Sequence, residues 1–237
     1  LMGIIGNLGV IRMDTDKLNL DQRECLEDSY QLSRRAAKLI KDIQSLTGNN
    51  LLQRRTTDIY TIAKDVFNIL NRTTDRLIEK RIDLEPDRYL IYANEDQMHQ
   101  VLLNLGTNSV NALTERGIKA GDYIRISAEE YTIREQDATG LPNGDYIHIM
   151  FEDNGKGMSD HVRRHAFDPL FTTSSKSAKK GQGLGLAMVY NIITKNHEGH
   201  IAIDSTEGKG TVINIWLLKT SGLPDTADTT GHKPMKG

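Results

Sequence analysis

The alternation of apolar and polar positions along the chain predicts a helical segment followed by a larger α/β domain. Residues 1–13 and about 20–46 are predicted to form two helices, separated by the polar stretch DTDKLN. The second helix carries two neighbouring apolar stripes at helical spacing, which are Leu32, Ala36, Leu39, Ile43 and Leu46, and Leu26, Tyr30, Ala37 and Ile40. Two such stripes suit a four-helix bundle made by two chains, and packing against the rest of the same chain is the alternative.

The segment QVLLNLGTNSVNAL, which begins at Gln100, predicts a helix with one apolar and one polar face. Its apolar positions are Met98, Val101, Leu102, Leu105, Ala112 and Leu113, and its polar positions are Gln100, Asn104, Asn108, Asn111 and Glu115. A solvated surface is one interpretation of the polar stripe. However, asparagine is a mediocre helix former, whereas its amide oxygen suits Mg²⁺ that is also held by ATP phosphates.

The segment DYIHIMFEDNGKGM predicts a strand that ends in a buried carboxylate. Ile147, Ile149 and Phe151 alternate, so strand parity places Asp153 on the same inward face. A carboxylate among apolar residues needs hydrogen-bond donors, and the amino group of adenine is a suitable one. Gly155 and Gly157 would let the backbone turn close to such a base, although a simple hairpin turn is the alternative.

A third segment, GQGLGLAMVY, has the glycine spacing of a phosphate-binding loop before a helix. Gly181, Gly183 and Gly185 lead into an apolar-periodic run over residues 184–193. The preceding residues 172–180 are polar and include Lys176, Lys179 and Lys180. They are predicted to form a lid over phosphates, and an ordinary solvated loop is an equal interpretation.

These three segments, in this order, resemble the asparagine and glycine boxes of the ATP-binding domain of sensor histidine kinases, and HAFDPLFTT from His165 resembles the phenylalanine box. The resemblance covers residues 56–219 and ends with EGKGTVINIWL. It implies an α+β chain whose ATP-binding domain is an α/β sandwich with a mixed sheet and three main helices. One local departure is Glu198, which stands where the family usually has a glycine after the histidine.

The resemblance also implies a set of nucleotide contacts, with ATP and Mg²⁺ as ligands. Asn108 corresponds to the magnesium ligand, Asn104 to a phosphate-side amide and candidate catalytic residue, and Asp153 to the adenine contact. Gly155 and Gly157 form the base-side loop, and Gly181, Gly183 and Gly185 form the phosphate loop. Thr211 would assist Asp153 through a water, and Phe167 and Phe171 would anchor the lid. The remaining members of the set are Asn111, Thr172, Thr173, Lys180, Leu184 and Leu186.

The resemblance extends to the superfamily that also holds gyrase, chaperone and mismatch-repair ATPases, and the residue at position 104 favours a kinase over an ATPase within it. The hydrolysing members carry a glutamate there, one helical turn before the magnesium asparagine, where it activates water as a general base. Asn104 cannot accept a proton from water at neutral pH. The expected acceptor of the phosphoryl group is therefore a histidine, followed by an aspartate of a response-regulator receiver domain.

The N-terminal LMGIIGNLGVI resembles the dimerisation helix of nitrogen-regulation-type sensor kinases, just after its phosphoacceptor histidine. The alignment puts that histidine roughly six residues before Leu1. We therefore expect residues 1–50 to be a truncated dimerisation hairpin, residues 54–220 to be the ATP-binding domain, and this chain alone not to phosphorylate itself. Of the seven histidines present, His161 and His165 have a metal-compatible spacing, but no third ligand is evident.

Composition agrees with a signalling module. The net charge of −2 provides no general field for nucleic acid, and the single Cys25 cannot form an internal disulfide. No apolar run reaches membrane-spanning length, so a cytoplasmic location without membrane contact is expected. Residues 221–237 are polar and are predicted to be a disordered tail or a linker. The alternative to a histidine kinase is a non-catalytic, ATP-sensing module that regulates a partner kinase.

Overall fold

The computed structural model describes residues 2–13, 15, 18–47, 53–135, 139–172 and 183–220. The chain divides into two compact units, residues 1–51 and residues 52–237. None of the helices in these described ranges has both the length and the hydropathy needed to cross a membrane.

The first unit contains helix α1 (Met2–Met13) and helix α2 (Leu20–Thr47). The start of α2 is set by a reciprocal capping box. The side chain of Asn19 accepts from the Gln22 amide at 2.8 Å, and the side chain of Gln22 accepts from the Asn19 amide at 3.0 Å. Arg12 links the two helices, since its Nε lies 2.7 Å from Glu27 and its guanidinium stacks over the Tyr30 ring at 4.3 Å.

Several apolar side chains of α1 remain exposed in this unit, namely Met2, Ile4, Val10, Ile11 and Met13. The two predicted helices are observed with nearly the predicted bounds. The dimeric four-helix bundle remains a prediction.

The second unit is built on a five-stranded mixed sheet. Its strands are β2 (Glu79–Asp83), β4 (Tyr123–Ile133), β5 (Gly144–Asp153), β6 (His200–Thr206) and β7 (Gly210–Leu218). They lie in the order β2-β4-β5-β7-β6, with β2 parallel to β4 and the other pairs antiparallel. The strands β1 (Arg55–Asp58) and β3 (Leu90–Ala93) form a separate antiparallel pair. The predicted α+β class and mixed sheet are confirmed.

The helices of this unit are α3 (Ile59–Thr73), α4 (Glu95–Arg116), the short α5 (Asp160–His165) and α6 (Gly185–Asn191). The apolar run after the glycines does not stay α-helical to its end, because α6 passes into a π-helical turn at Ile192–Asn196. Helix α4 begins five residues before Gln100, where the side chain of Asn94 caps it by accepting from the Gln97 amide at 3.0 Å.

The main core lies between the helices and one face of the sheet. Phe67 on α3 meets Phe151 on β5 edge to face, with ring centroids 6.1 Å apart. Gly106 lets α3 and α4 approach closely, since a Cβ at this position would lie 2.6 Å from a methyl of Leu70. The alternating buried residues Ile147, Ile149, Phe151 and Asp153 therefore face the helices, as strand parity predicts.

Candidate nucleotide-binding site

A buried carboxylate stands at the end of the central strand β5. Asp153 is 7% exposed. Its Oδ2 accepts from the hydroxyl of Ser109 at 2.7 Å, and its Oδ1 accepts from the backbone amide of Gly155 at 2.9 Å. Burial raises the pKa of Asp153 above its ordinary value, and the two hydrogen bonds offset that rise only in part. A further donor would stabilise the ionised form, so this carboxylate is suited to bind a ligand with an N–H group.

Thr211 lies beside this carboxylate in the sheet. It is the residue opposite Asp153 in the antiparallel pairing of β5 with β7, and it is also buried. Its hydroxyl lies 2.9 Å from the hydroxyl of Ser205. This register is compatible with the water-mediated assistance predicted for Thr211, which remains a prediction.

The glycines after Asp153 are required by close backbone contacts. A Cβ on Gly155 would lie 2.7 Å from Asp153 Oδ1 and 2.9 Å from Ala112 Cβ. Gly157 has φ +65°, and a Cβ there would lie 2.0 Å from the carbonyl oxygen of Thr206. This loop therefore holds its backbone directly against Asp153 and α4.

The amide stripe of α4 faces α6 over part of its length. Nε2 of Gln100 lies 2.7 Å from Met188 Sδ, and Nδ2 of Asn104 lies 3.5 Å from the same sulfur. Asn108 lies beside Gly185, because a Cβ on that glycine would come 3.8 Å from the Asn108 amide. Asn111 is exposed. The stripe is thus not a wholly solvated surface: its first three amides follow α6 toward the glycine loop.

The phenylalanine segment contacts both short helices. The ring of Phe167 lies 5.2 Å from that of Tyr190 in α6. Phe171 lies near two imidazoles of α5, 6.1 Å from His161 and 5.7 Å from His165. Both phenylalanines thus pack against neighbouring elements just before residues 172–180 in the chain, and their role as anchors of a lid remains a prediction.

The residues on either side of the predicted lid, residues 172–180, meet in a hydrogen bond. The amide of Leu170 donates to the carbonyl of Gly183 at 2.9 Å. Gly183 has φ +66°, and a Cβ there would lie 2.5 Å from the Leu170 carbonyl carbon. Thr172 is exposed, and Leu184, Gly185 and Leu186 lie at the start of α6. Thr173, Lys180 and Gly181, with the rest of residues 173–182, lie outside the described residues.

A metal at this site would depend on few protein ligands. Within the described ranges, no group of three or more His, Cys, Asp or Glu side chains is placed to hold a metal ion. The amide oxygen of Asn108 is a hard ligand next to the first residue of α6. This donor set fits Mg²⁺, which keeps waters and phosphate oxygens as its other ligands.

Three contributors to the site were missed by sequence reasoning. Ser109 was the most accessible to prediction, because it is a polar residue four positions after Leu105 on the apolar side of α4. Met188 lies within the apolar-periodic run over residues 184–193, and that pattern indicates no polar contact. Gln100 belonged to the polar stripe but was not assigned to the site.

His197 is a structural residue that fixes the start of α4. Its Nδ1 donates to the Ile192 carbonyl at 2.8 Å, so Nε2 can accept from the Asn94 amide at 3.0 Å. Burial lowers the pKa of His197, which keeps the ring neutral as this arrangement requires. The next residue, Glu198, adopts φ +55°, the left-handed conformation for which the family's usual glycine is suited.

The second unit has helices layered on one face of a mixed sheet, a buried aspartate at a strand end, and glycine turns beside a stripe of amides. This combination is typical of the ATP-binding domain found in histidine kinases and related ATPases. Residues 93–221 match the family described as histidine kinase-, DNA gyrase B-, and HSP90-like ATPase. The chain belongs to this family, which confirms the family assignment predicted from its motifs.

The chain is similar to several sensor kinases. The chain is 34% identical over 190 residues to the sensor kinase CckA of Brucella abortus, a match that covers 79% of this chain and 19% of CckA. It is 29% identical over 228 residues to the sensory histidine kinase/phosphatase NtrB of Azospirillum brasilense, covering 91% of this chain and 54% of NtrB. The chain thus spans only part of the length of these relatives.

Solved structures share the fold. Full-length ShkA in complex with AMPPNP superposes with a TM-score of 0.69 at 19% identity, over 91% of this chain and 43% of ShkA. The histidine kinase AdeS of Acinetobacter baumannii gives a TM-score of 0.60 at 20% identity, over 92% of this chain and 95% of the AdeS chain.

Proposed function

We propose that this chain is the catalytic part of a two-component sensor histidine kinase. It would bind magnesium-ATP and transfer the γ-phosphoryl group to a histidine, for relay to an aspartate of a response-regulator receiver domain. In the first step the bond from the γ-phosphorus to the bridging oxygen breaks, ADP leaves, and a phosphorus–nitrogen bond forms on the imidazole. The observation that carries the proposal is the buried Asp153 with its donors Ser109 and Gly155.

Adenine is the base that this carboxylate favours. An ionised carboxylate offers only acceptors, and adenine presents an amino donor at the position where guanine presents a carbonyl oxygen. Ser109 and the Gly155 amide already donate to Asp153, one to each oxygen. The base would add a donor to a group whose pKa is raised by burial and which gains from each additional hydrogen bond.

The amide at position 104 favours phosphoryl transfer to another side chain over hydrolysis. The structure brings Asn104 to the α4–α6 contact beside Met188. Since an amide is not a base at neutral pH, no proton acceptor for an attacking water stands at this position. Mg²⁺, held by Asn108 and the phosphates, would neutralise charge on the transferred group when bound.

Residues 1–50 would dimerise two chains, as part of a longer hairpin that would also carry the acceptor histidine. The exposed apolar residues of α1, among them Ile4, Val10 and Ile11, offer surface for a second copy. The resemblance to nitrogen-regulation-type kinases supports an acceptor histidine upstream of Leu1, and the proposed reaction would need that residue.

The test uses radiolabelled ATP on this chain and on a version extended by about ten of its natural upstream residues. We expect both to bind ATP, but only the extended version to gain an acid-labile, alkali-stable label typical of phosphohistidine. Stable, acid-resistant labelling of the present chain would exclude the proposed mechanism. Tight ATP binding without labelling of either version would instead support the non-catalytic ATP-sensing module.

A further inference from the structure

A buried thioether accepts hydrogen bonds from two amides of the proposed nucleotide site. Met188 on α6 is 1% exposed. Its Sδ lies 2.7 Å from Gln100 Nε2 and 3.5 Å from Asn104 Nδ2, and these two residues are one helical turn apart on α4. The sulfur thus joins the polar stripe of one helix to the core side of the other.

The chemistry of sulfur fixes which end of each amide faces it. A thioether has lone pairs but no hydrogen to donate, so it can pair only with the NH₂ end of an amide. In a planar amide the oxygen and nitrogen project from opposite sides of the same carbon. With Nδ2 of Asn104 directed at Met188, its Oδ1 is therefore turned away from the sulfur.

This orientation changes what Asn104 can offer to a nucleotide. A phosphate oxygen is an acceptor, and so is the amide oxygen, so the two cannot form a direct hydrogen bond. An amide oxygen can ligate a hard cation or accept from water bound to that cation. The second N–H of Asn104 can still donate to a phosphate, but its Oδ1 can act only on the metal or on water bound to the metal, so this part of its contribution to ATP binding should depend on Mg²⁺.

We propose that Met188 is a positioning residue that sets the amide orientation of Asn104 and thereby couples nucleotide affinity to Mg²⁺. The inference rests on the proposed function, because it concerns magnesium-ATP at the same site. Its expected signature is specific: loss of the sulfur weakens binding of magnesium-ATP more than binding of metal-free ATP. A merely structural role for Met188 would weaken both equally.

The test compares ATP affinity by calorimetry with excess Mg²⁺ and with EDTA, and takes the ratio of the two dissociation constants as the magnesium coupling. Met188→Leu removes the acceptor while keeping an apolar side chain of similar volume. The matched control is Met98→Leu, a buried methionine on the core side of α4. We expect Met188→Leu to lower the coupling by about threefold to tenfold, the value of one lost hydrogen bond, and Met98→Leu to leave it unchanged.

A double-mutant cycle establishes that Met188 acts through Asn104. Asn104→Leu should lower the coupling at least as much as Met188→Leu, and adding Met188→Leu to Asn104→Leu should lower it no further. In nuclear magnetic resonance spectra, the side-chain NH₂ signals of Asn104 should shift in Met188→Leu and stay in place in Met98→Leu. This spectroscopic comparison needs no nucleotide, so it tests the contact between Met188 and Asn104 separately from ATP affinity.

The outcomes separate this inference from the proposed function. Unchanged coupling in Met188→Leu, equal weakening with Mg²⁺ and with EDTA, or additive effects in the cycle would overturn the positioning role while the proposed function stands. Absence of ATP binding by the unmutated chain would overturn both.

Discussion

Replacement of Asp153 by asparagine should separate nucleotide binding from folding stability. The substitution preserves the volume of the side chain and leaves one amide oxygen, which can still accept from Gly155. The other oxygen becomes an NH₂ group, which can donate to the Ser109 hydroxyl but can no longer accept from a ligand. Binding loses an acceptor, whereas the empty site keeps its internal hydrogen bonds.

The magnitude follows from the burial and the charge of the carboxylate. A hydrogen bond to a charged group contributes about 1.5–3 kcal/mol, so ATP affinity should fall by roughly 10- to 100-fold. Folding stability should stay equal or rise slightly, because burial disfavours the charged form of Asp153, as its raised pKa indicates. Preference for ATP over GTP should shrink together with the affinity for ATP.

Calorimetry with ATP and GTP measures the binding effect, and urea unfolding measures stability. Asp65→Asn, the same change at an exposed position of α3, is the matched control and should alter neither quantity. Unchanged ATP affinity in Asp153→Asn would refute the adenine assignment. A parallel loss of stability and affinity would mean that Asp153 holds the fold and does not contact the base.

Other perturbations of the second unit have defined outcomes. ATP affinity should fall as the pH is lowered through the raised pKa of Asp153, because the protonated carboxyl loses an acceptor site; Asp153→Asn should flatten that profile in titrations from pH 7.5 downward. Asn108→Ala should lose the magnesium-dependent part of ATP affinity and keep the part measured in EDTA. Glu198→Gly should stabilise the protein by about 0.5–1 kcal/mol in urea unfolding, because it relieves a left-handed conformation at φ +55°. Burial in the folded state lowers the pKa of His197. The neutral ring should therefore contribute fully to the free energy of unfolding above the unfolded pKa of about 6.5, and this contribution should be lost as the pH falls below that value.

Further variants and contrary outcomes test three of these predictions. Glu207→Gly changes an exposed glutamate in a turn and should not stabilise, so equal gains at both positions would contradict the strain at Glu198. In urea unfolding, the stability of His197→Gln should fall less between pH 7 and pH 5 than the stability of the unmutated protein. An Asn108→Ala variant with the full magnesium effect would show that the metal ligand lies elsewhere.

Features set by local pattern were predictable from the sequence. Strand parity placed Asp153 inward because successive side chains of a strand alternate between the two faces, whatever the strand pairs with. The helix around Asn104 and Asn108 followed from helical periodicity in the same way. The positive φ angles of Gly157 and Gly183 agree with turns that only glycine adopts easily.

The order of the motifs in the chain predicted the family, but not the contacts among its side chains. Ser109 reaches Asp153 across 44 positions of sequence, Gln100 and Asn104 reach Met188 across 88 and 84, and Asn94 reaches His197 across 103. Each pairing depends on how two elements pack, and periodicity within one element does not determine that packing. Local pattern therefore determined which faces of the helices and strands carry polar groups. Tertiary structure alone decided that a serine, a methionine and a histidine would be their partners. The reason is that hydrogen bonds between distant segments form only when packing brings donor and acceptor within about 3 Å.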